Sequence, residues 1–198
     1  MQLPTTREIE LLHKKHAPSQ EVFDEVWQHC QIVQEIAVKI IGSNNLTNIH
    51  RKLVEAGCLL HDLGVYRLYD SIGQIDDKNY IRHGVLGYEM LKEEGFSEIL
   101  CRFASHHTGV GLTAQEIEEN NLPLPKEDML ADTEEERIVM YADKFHSKLP
   151  SIFNSADWYK QHLRRFGNHK VRVFEQMIAD LGEPDIKSLA KYYNQSYR

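Results

Sequence analysis

Eleven histidines in 198 residues, several beside acidic residues or beside each other, are the part of this chain that could do chemistry. His61-Asp62 closes a mostly apolar run, Leu53-Val54-Glu55-Ala56-Gly57-Cys58-Leu59-Leu60, which reads as a helix buried on most sides. A lone carboxylate costs several kcal/mol to bury there, so Asp62 needs a cation, a strong donor or a proton. A metal is one solution, and the adjacent imidazole favours it. His29, His83, the pair His106-His107 and Asp143 are the further candidates. Imidazole and carboxylate without thiolate suit Mn, Fe, Co, Ni or Zn, with Mg where substrate phosphate shares the coordination. The set is large enough for two divalent ions, and a carboxylate such as Asp62 can bridge ions ~3.5–4 Å apart.

These side chains must be carried by helices. Thr5 and Glu8 have capping-box spacing and start a short helix to about His13. A long helix is expected from about Gln20 to Ile41 behind Ser19, with the seam Val22, Val26, Val33, Ile36 and Ile40. His29 completes that seam, so it reads either as a satisfied core histidine or as a ligand. The next helix, roughly 50 to 63, carries His61-Asp62, and Gly64 is expected to end it in the left-handed conformation. Residues 65 to 80 read as irregular. Helices follow from His83 to Glu94 and from Ser97 to Ser105, the second delivering His106-His107. The stretch 110–132 reads as an acidic insert with a short helix behind Thr113, either a solvated excursion or a lid over a site. Thr133 starts a helix expected to run to about Lys148, with Asp143 beside its apolar positions. Three more helices are expected, at Ala156–Phe166, His169–Leu181 and Ile186–Asn194, and no period-2 strand pattern of useful length is found. The expectation is an all-α fold in one domain over 1–198, with a metal-site core at about 19–149 and a helical extension at 150–198.

Composition bounds the function. Hydrophobic residues at 41% and charged residues at 27% describe an ordinary globular chain. A net charge of −7 argues against a general nucleic-acid binder, although a small anionic substrate needs only local positive charge. Cys30, Cys58 and Cys101 are too few and odd in number for a disulfide framework, and all lie in apolar stretches, which suits a reducing compartment. No apolar run reaches the ~18 residues of a membrane span. The expectation is a cytoplasmic protein without a membrane or nucleic-acid partner. Its apolar C-terminal helices are available to a second copy in a homodimer.

The order H…HD…H…HH…D resembles the HD-domain superfamily of metal-dependent phosphohydrolases, from about Phe23 to Lys144. The segments Cys58-Leu59-Leu60-His61-Asp62-Leu63-Gly64, Ile81-Arg82-His83-Gly84-Val85-Leu86-Gly87 and His106-His107-Thr108-Gly109 are similar to the two-metal subgroup with extra histidines, such as the bacterial symmetrical dinucleoside tetraphosphate hydrolases. The resemblance implies an all-α helical bundle. It also implies one metal held by His29, His61, Asp62 and Asp143, and a second sharing Asp62 and adding His83 and His107. His106 is then either a group supporting the ligands from behind or a substrate-facing one. Many two-metal members carry a lysine three residues after the HD aspartate; here that position is Val65, and Tyr66 and Arg67 are the nearest substitutes.

The expected reaction is hydrolysis of a phosphoester or phosphoanhydride in a nucleotide-type substrate by metal-activated water. Asp62, His106, Arg67 and Lys144 are the catalytic candidates, and Arg67, Arg82 and Tyr66 the substrate-binding ones. Two other readings fit the same ligand set: a two-iron oxygenase, and a nucleotide-binding regulatory module that turns nothing over.

Overall fold

The computed structural model describes residues 3–44, 46–70 and 72–198. Among them ten α-helices form an all-α bundle with one small two-stranded sheet. α1 (Thr6–His16) opens with the complete capping box of Thr5 and Glu8. α2 (Gln20–Ser43) is capped by the Ser19 side chain on the Val22 amide. Its seam is buried from Val22 to Ile40, His29 included. α3 (Arg51–Leu60) lies against α1, α2, α5 (Glu98–Ser105) and α7 (Glu134–Asp143), so nearly every side of it meets protein. That explains its continuous apolar run.

Beyond α3 the chain tightens into a 3₁₀ segment, Leu63–Leu68, and a second one, Asp77–Arg82, leads into α4 (His83–Glu93). Gly64 is not the left-handed terminator expected. It lies within the first 3₁₀ segment, where a Cβ would come 2.0 Å from the His83 carbonyl oxygen and 2.2 Å from the Gly87 nitrogen. Close approach of two backbones requires glycine here, and it draws the start of α4 onto the His61-Asp62 turn. Gly95, at φ +81°, is the residue that ends a helix in the expected manner.

α7 stops at Asp143, five residues before its expected end. The chain then forms β1 (His146–Lys148) and β2 (Ser151–Phe153), antiparallel with His146 opposite Phe153. Pro150 between them cannot extend a helix or donate to the ladder, and three-residue strands are too short for alternation to be read from sequence. α6 (Ala114–Glu119) has its capping box from Thr113 and Glu116. The insert around it is fastened on its far side, through Glu116 to Lys170 and through Asp132 to Arg102.

The C-terminal segment adds α8 (Ala156–Leu163), α9 (Asn168–Leu181) and α10 (Ile186–Tyr193). Phe174 is buried among Tyr141, Phe145 and Tyr159. Leu181, Ile186 and Leu189 are buried on this chain's own core as well, while Phe166, Val173 and Tyr192 of the same segment stay exposed. The last residues run back beside β2, where the Phe153 amide donates to the Ser196 carbonyl and the Arg198 amide to the Phe153 carbonyl. No helix among the described residues is long and apolar enough to cross a membrane.

Candidate metal centre

The candidate ligands arrive mostly from helix ends. His29 comes from the middle of α2, His61 and Asp62 from the end of α3, and His83 from the first position of α4. His107 lies just past α5, and Asp143 is the last residue of α7. His29 Nε2 stands 3.3 Å from His61 Nε2, 3.1 Å from Asp143 Oδ1 and 3.2 Å from Asp62 Oδ2. His61 Nε2 is 3.5 Å from the same two carboxylate oxygens. On the other side of Asp62, its Oδ1 is 3.6 Å from His83 Nε2 and 3.7 Å from His107 Nε2, and those two nitrogens are 2.9 Å apart. Asp62 therefore stands between two nitrogen–oxygen clusters and presents one oxygen to each.

Hydrogen bonds behind the rings set which nitrogen faces inward. His61, His83 and His107 each have Nδ1 at 2.6–2.7 Å from the carbonyl three residues earlier, of Cys58, Tyr80 and Ala104. A carbonyl only accepts, so each Nδ1 donates, and Nε2 of the neutral ring is a lone pair aimed at the centre. Two such lone pairs 2.9 Å apart, at His83 and His107, repel unless a positive charge lies between them. Asp62 Oδ1, fully buried beside them, has no hydrogen-bond donor among the described residues. A buried carboxylate oxygen without a donor is costly. Both features fit a divalent cation.

The electrostatics of the protein groups agree. Burial opposes charge on Asp62, but Lys148, His61 and His29 outweigh it and hold its carboxyl well below the usual range. Asp143 is held low in the same way, by Lys144, His29 and His61 against burial. Burial also opposes charge on His61, yet Asp62 raises its pKa well above the ordinary imidazole value, so a proton there balances the acids until a cation displaces it. Burial pushes His83 down to about 4, and it pushes His107 well below its usual value, helped by His61 and His83.

The centre forms the floor of a cavity of about 490 Å³. Lys144 lines it, with Nζ 2.6 Å from Asp143 Oδ2 and 2.9 Å from the His107 carbonyl, tying two ligand segments together. Four other expected residues are not brought there. Tyr66 is buried on the other side of its 3₁₀ turn, with its hydroxyl 2.8 Å from His13 Nδ1, so it has no access to a substrate. Arg67 points outward into ion pairs with Glu93 and Glu89. Arg82 is exposed and outside the cavity wall. His106 turns away from Asp62, with Nδ1 2.6 Å from Ser105 Oγ and its charge environment set by Arg102 and Glu136. No residue of 110–132 lines the cavity, so the insert does not act as a lid in this conformation.

Sequence reasoning missed the β-hairpin residues. Lys148 from β1 contacts Asp62 Oδ2 through Nζ and lies 5.4 Å from the centre of the Tyr80 ring. It supplies the cation that Val65 does not; Val65 is wholly buried among apolar residues. His146, two residues earlier on the same strand face, has Nδ1 2.8 Å from His29 Nδ1 and Nε2 2.9 Å from Gln195 Oε1. The outer wall comes from the C-terminal segment, including Trp158, Tyr159, His162 and Arg198. The Arg198 guanidinium lies 3.7 Å over the Trp158 ring, and its Nε donates to Asn154 Oδ1 at 2.9 Å. The one local signal for these residues is the period-2 placement of His146 and Lys148, which is too short to stand out.

Comparison with known proteins bears on the same residues. The family described as HD domain matches residues 26–148. The uncharacterized protein MJ0778 of Methanocaldococcus jannaschii is 38% identical over 151 residues, which cover 74% of this chain and 80% of that one. A tRNA (cytidine(56)-2'-O)-methyltransferase of Picrophilus torridus is 32% identical over 175 residues, 87% of this chain but only 47% of the methyltransferase. Among solved structures, the HD domain of the L. monocytogenes phosphodiesterase PgpH in complex with cyclic-di-AMP superposes with a TM-score of 0.54 at 15% identity. That match covers 98% of this chain and 100% of that one, and shows a shared fold.

Proposed function

The chain belongs to the HD-domain family, and from that premise we propose that it is a metal-dependent phosphohydrolase cleaving a phosphoester or phosphoanhydride of a nucleotide-type substrate. The observation that carries this reading is Asp62, whose Oδ1 lacks any donor among the described residues and faces His83 and His107 while Oδ2 faces His29 and His61. His29, His61, Asp62 and Asp143 would hold one divalent ion, and Asp62, His83 and His107 a second. Bound there, such ions supply Lewis acidity toward phosphate oxygens and toward the attacking water.

The remaining work falls to the chain's own groups. Lys148 neutralises Asp62 and has Nζ on the cavity wall, so an entering phosphate oxygen offers it a second anionic partner. Lys144 holds Asp143 and the His107 backbone in register. Tyr80 and Trp158 add aromatic surface, and Arg198 a guanidinium, to the same cavity, which supports a substrate combining a base with phosphate. The cyclic-di-AMP bound to a protein of the same fold agrees with a nucleotide-type ligand.

The test is a screen of nucleotides and dinucleoside polyphosphates with Mn, Fe, Co, Ni, Zn and Mg, in air and without oxygen, reading released phosphate and nucleoside. Asp62→Ala is expected to lose both bound metal and turnover. Full metal content in that variant would overturn the two-cluster centre, and a product formed only with oxygen would overturn hydrolysis.

A further inference from the structure

Lys144, Lys148 and Arg198 are the lysine and arginine side chains that line the cavity, and the two lysines are committed to Asp143 and Asp62. Arg198 has no carboxylate within ion-pair distance among the described residues, yet it is held from several sides. Its backbone is pinned on either side of Asn154. The Arg198 amide donates to the Phe153 carbonyl at 2.9 Å, and the Arg198 carbonyl accepts from the Ser155 amide at 2.6 Å. Its guanidinium lies 3.7 Å from the centre of the Trp158 ring, Nε donates to Asn154 Oδ1 at 2.9 Å, and Nη2 reaches Ser147 Oγ at 3.4 Å. The orientation of the buried Asn154 amide is fixed, because its Nδ2 donates to the Lys144 carbonyl at 3.1 Å. A carbonyl only accepts, so Oδ1 is the end turned to Arg198. Asn154 thereby ties the guanidinium to the residue that follows Asp143. Nη1 makes no hydrogen bond among the described residues. An exposed arginine held in this way gives up side-chain entropy that a solvated surface cation keeps.

We propose that Arg198, oriented by Asn154 and Trp158, is a subsite for a second phosphate, so that the preferred substrate carries a phosphate group besides the one that meets the metal centre. The inference rests on the phosphohydrolase reading above. A phosphate on the cavity floor is met by Lys148 and by the ions, whereas Arg198 belongs to the outer wall and its charge is not used by any protein acid. A guanidinium offers paired donors that match phosphate oxygens, and its Nη edge is the part left open here. The surroundings are positive as well, in a chain of net charge −7. The His162 ring stands 5.1 Å from that of Trp158, and burial, Arg165, Arg198 and Lys144 all hold its pKa below the usual imidazole value with no carboxylate opposing them. Because Asn154 and Trp158 hold the guanidinium before any ligand arrives, less ordering is needed on binding. Asn154, Trp158, His162 and Arg198 all lie outside residues 26–148, so this subsite is built by the C-terminal segment and not by the part matched to the HD-domain family.

The test compares the full chain, loaded with Mn, as wild type and as Arg198→Gln. The probes are orthophosphate and AMP, with one phosphate, against inorganic triphosphate and ATP, with several. KM reads affinity for a nucleotide that is turned over, and calorimetric Kd for a probe that is not. Arg198→Gln is expected to weaken triphosphate and ATP by ~10–100-fold and to leave orphosphate and AMP within about twofold of wild type. The ratio between the two groups of probes does not depend on the fraction of molecules folded, so it stays readable if the variant is less stable. An equal loss on all probes overturns the proposal, as does no loss on any. A second measurement follows the Arg198 Nε resonance, assigned by its disappearance in Arg198→Gln, during titration with inorganic triphosphate. A shift is expected, and a resonance that stays in place at saturation overturns the proposal. If wild-type protein binds no metal or releases no phosphate from any nucleotide, the phosphohydrolase reading fails instead, and this titration still decides whether Arg198 takes up a polyphosphate.

Discussion

His106 and His107 are chain neighbours with opposite surroundings. His107 is buried with Nε2 on the Asp62 side, whereas His106 is half-buried against Ser105 and the Arg102–Glu136 pair. The difference arises because the chain leaves α5 between them: His107 bends back to donate to the Ala104 carbonyl, and His106 stays on the outer side of the helix end. His107→Ala is expected to lower metal stoichiometry, while His106→Ala keeps it. Metal analysis after dialysis checks the ranking, and the reverse result would assign the ligand to the wrong member of the pair. The same scale shows why nearness in sequence misleads. Tyr66 and Arg67 stand next to Val65, where the resemblance leads one to expect a lysine, yet the 3₁₀ turn buries one on His13 and points the other at Glu93. The cation on Asp62 comes from Lys148, 86 residues away.

The elements hold these residues through a few unforgiving contacts. Gly64 brings the turn after α3 against the first turn of α4, with backbone atoms of His83 and Gly87 where a Cβ would be. Those atoms belong to a helix and cannot swing aside as a flexible side chain would. Gly64→Ala is expected to push α4 outward, at a cost of about 3 kcal/mol or more, at the upper end for overpacking. It should also move His83 away from Asp62 Oδ1. Urea unfolding reads the first effect and metal stoichiometry the second; wild-type values for both would show that the close approach is dispensable. The hairpin after α7 is a second such element. By ending the helix at Asp143 it turns His146 and Lys148 inward, a placement that a continued helix would not give, since 146 and 148 would then diverge by about 200°.

For the whole molecule, pH sensitivity follows from histidines buried without charge. His13 is not among the candidate ligands; it is wholly buried and bonded to the Tyr66 hydroxyl and the Leu59 carbonyl at 2.8 and 2.7 Å. Burial lowers its pKa to about 4. The unfolded chain takes up a proton at this residue near pH 6.5, before the folded chain does. Its contribution is therefore fully present above pH 6.5 and is lost as pH falls to about 4, on the order of 3 kcal/mol in all. With metal removed, the stability gap between wild type and His13→Gln is expected to narrow across that range in denaturant titrations. A constant gap would mean that His13 does not stay neutral in the fold.

Helix positions and the list of candidate ligands were legible in the sequence because both depend on local rules. Capping residues, 3.6-residue periodicity and glycine stops act within a few residues, which is why nearly every expected helix is present within a few residues of its bounds. The candidate ligands were legible because few residue types bind divalent ions and six of them fall on core-facing helix positions or helix ends. Tertiary structure alone decided what surrounds them. Lys148, His146, Gln195 and Arg198 are common residue types with no local signature, and three-residue strands leave no period to detect. They reach the centre through chain reversals after Asp143 and after α10. Such long-range pairings are set by which buried surfaces fit together, and no window of sequence contains both partners.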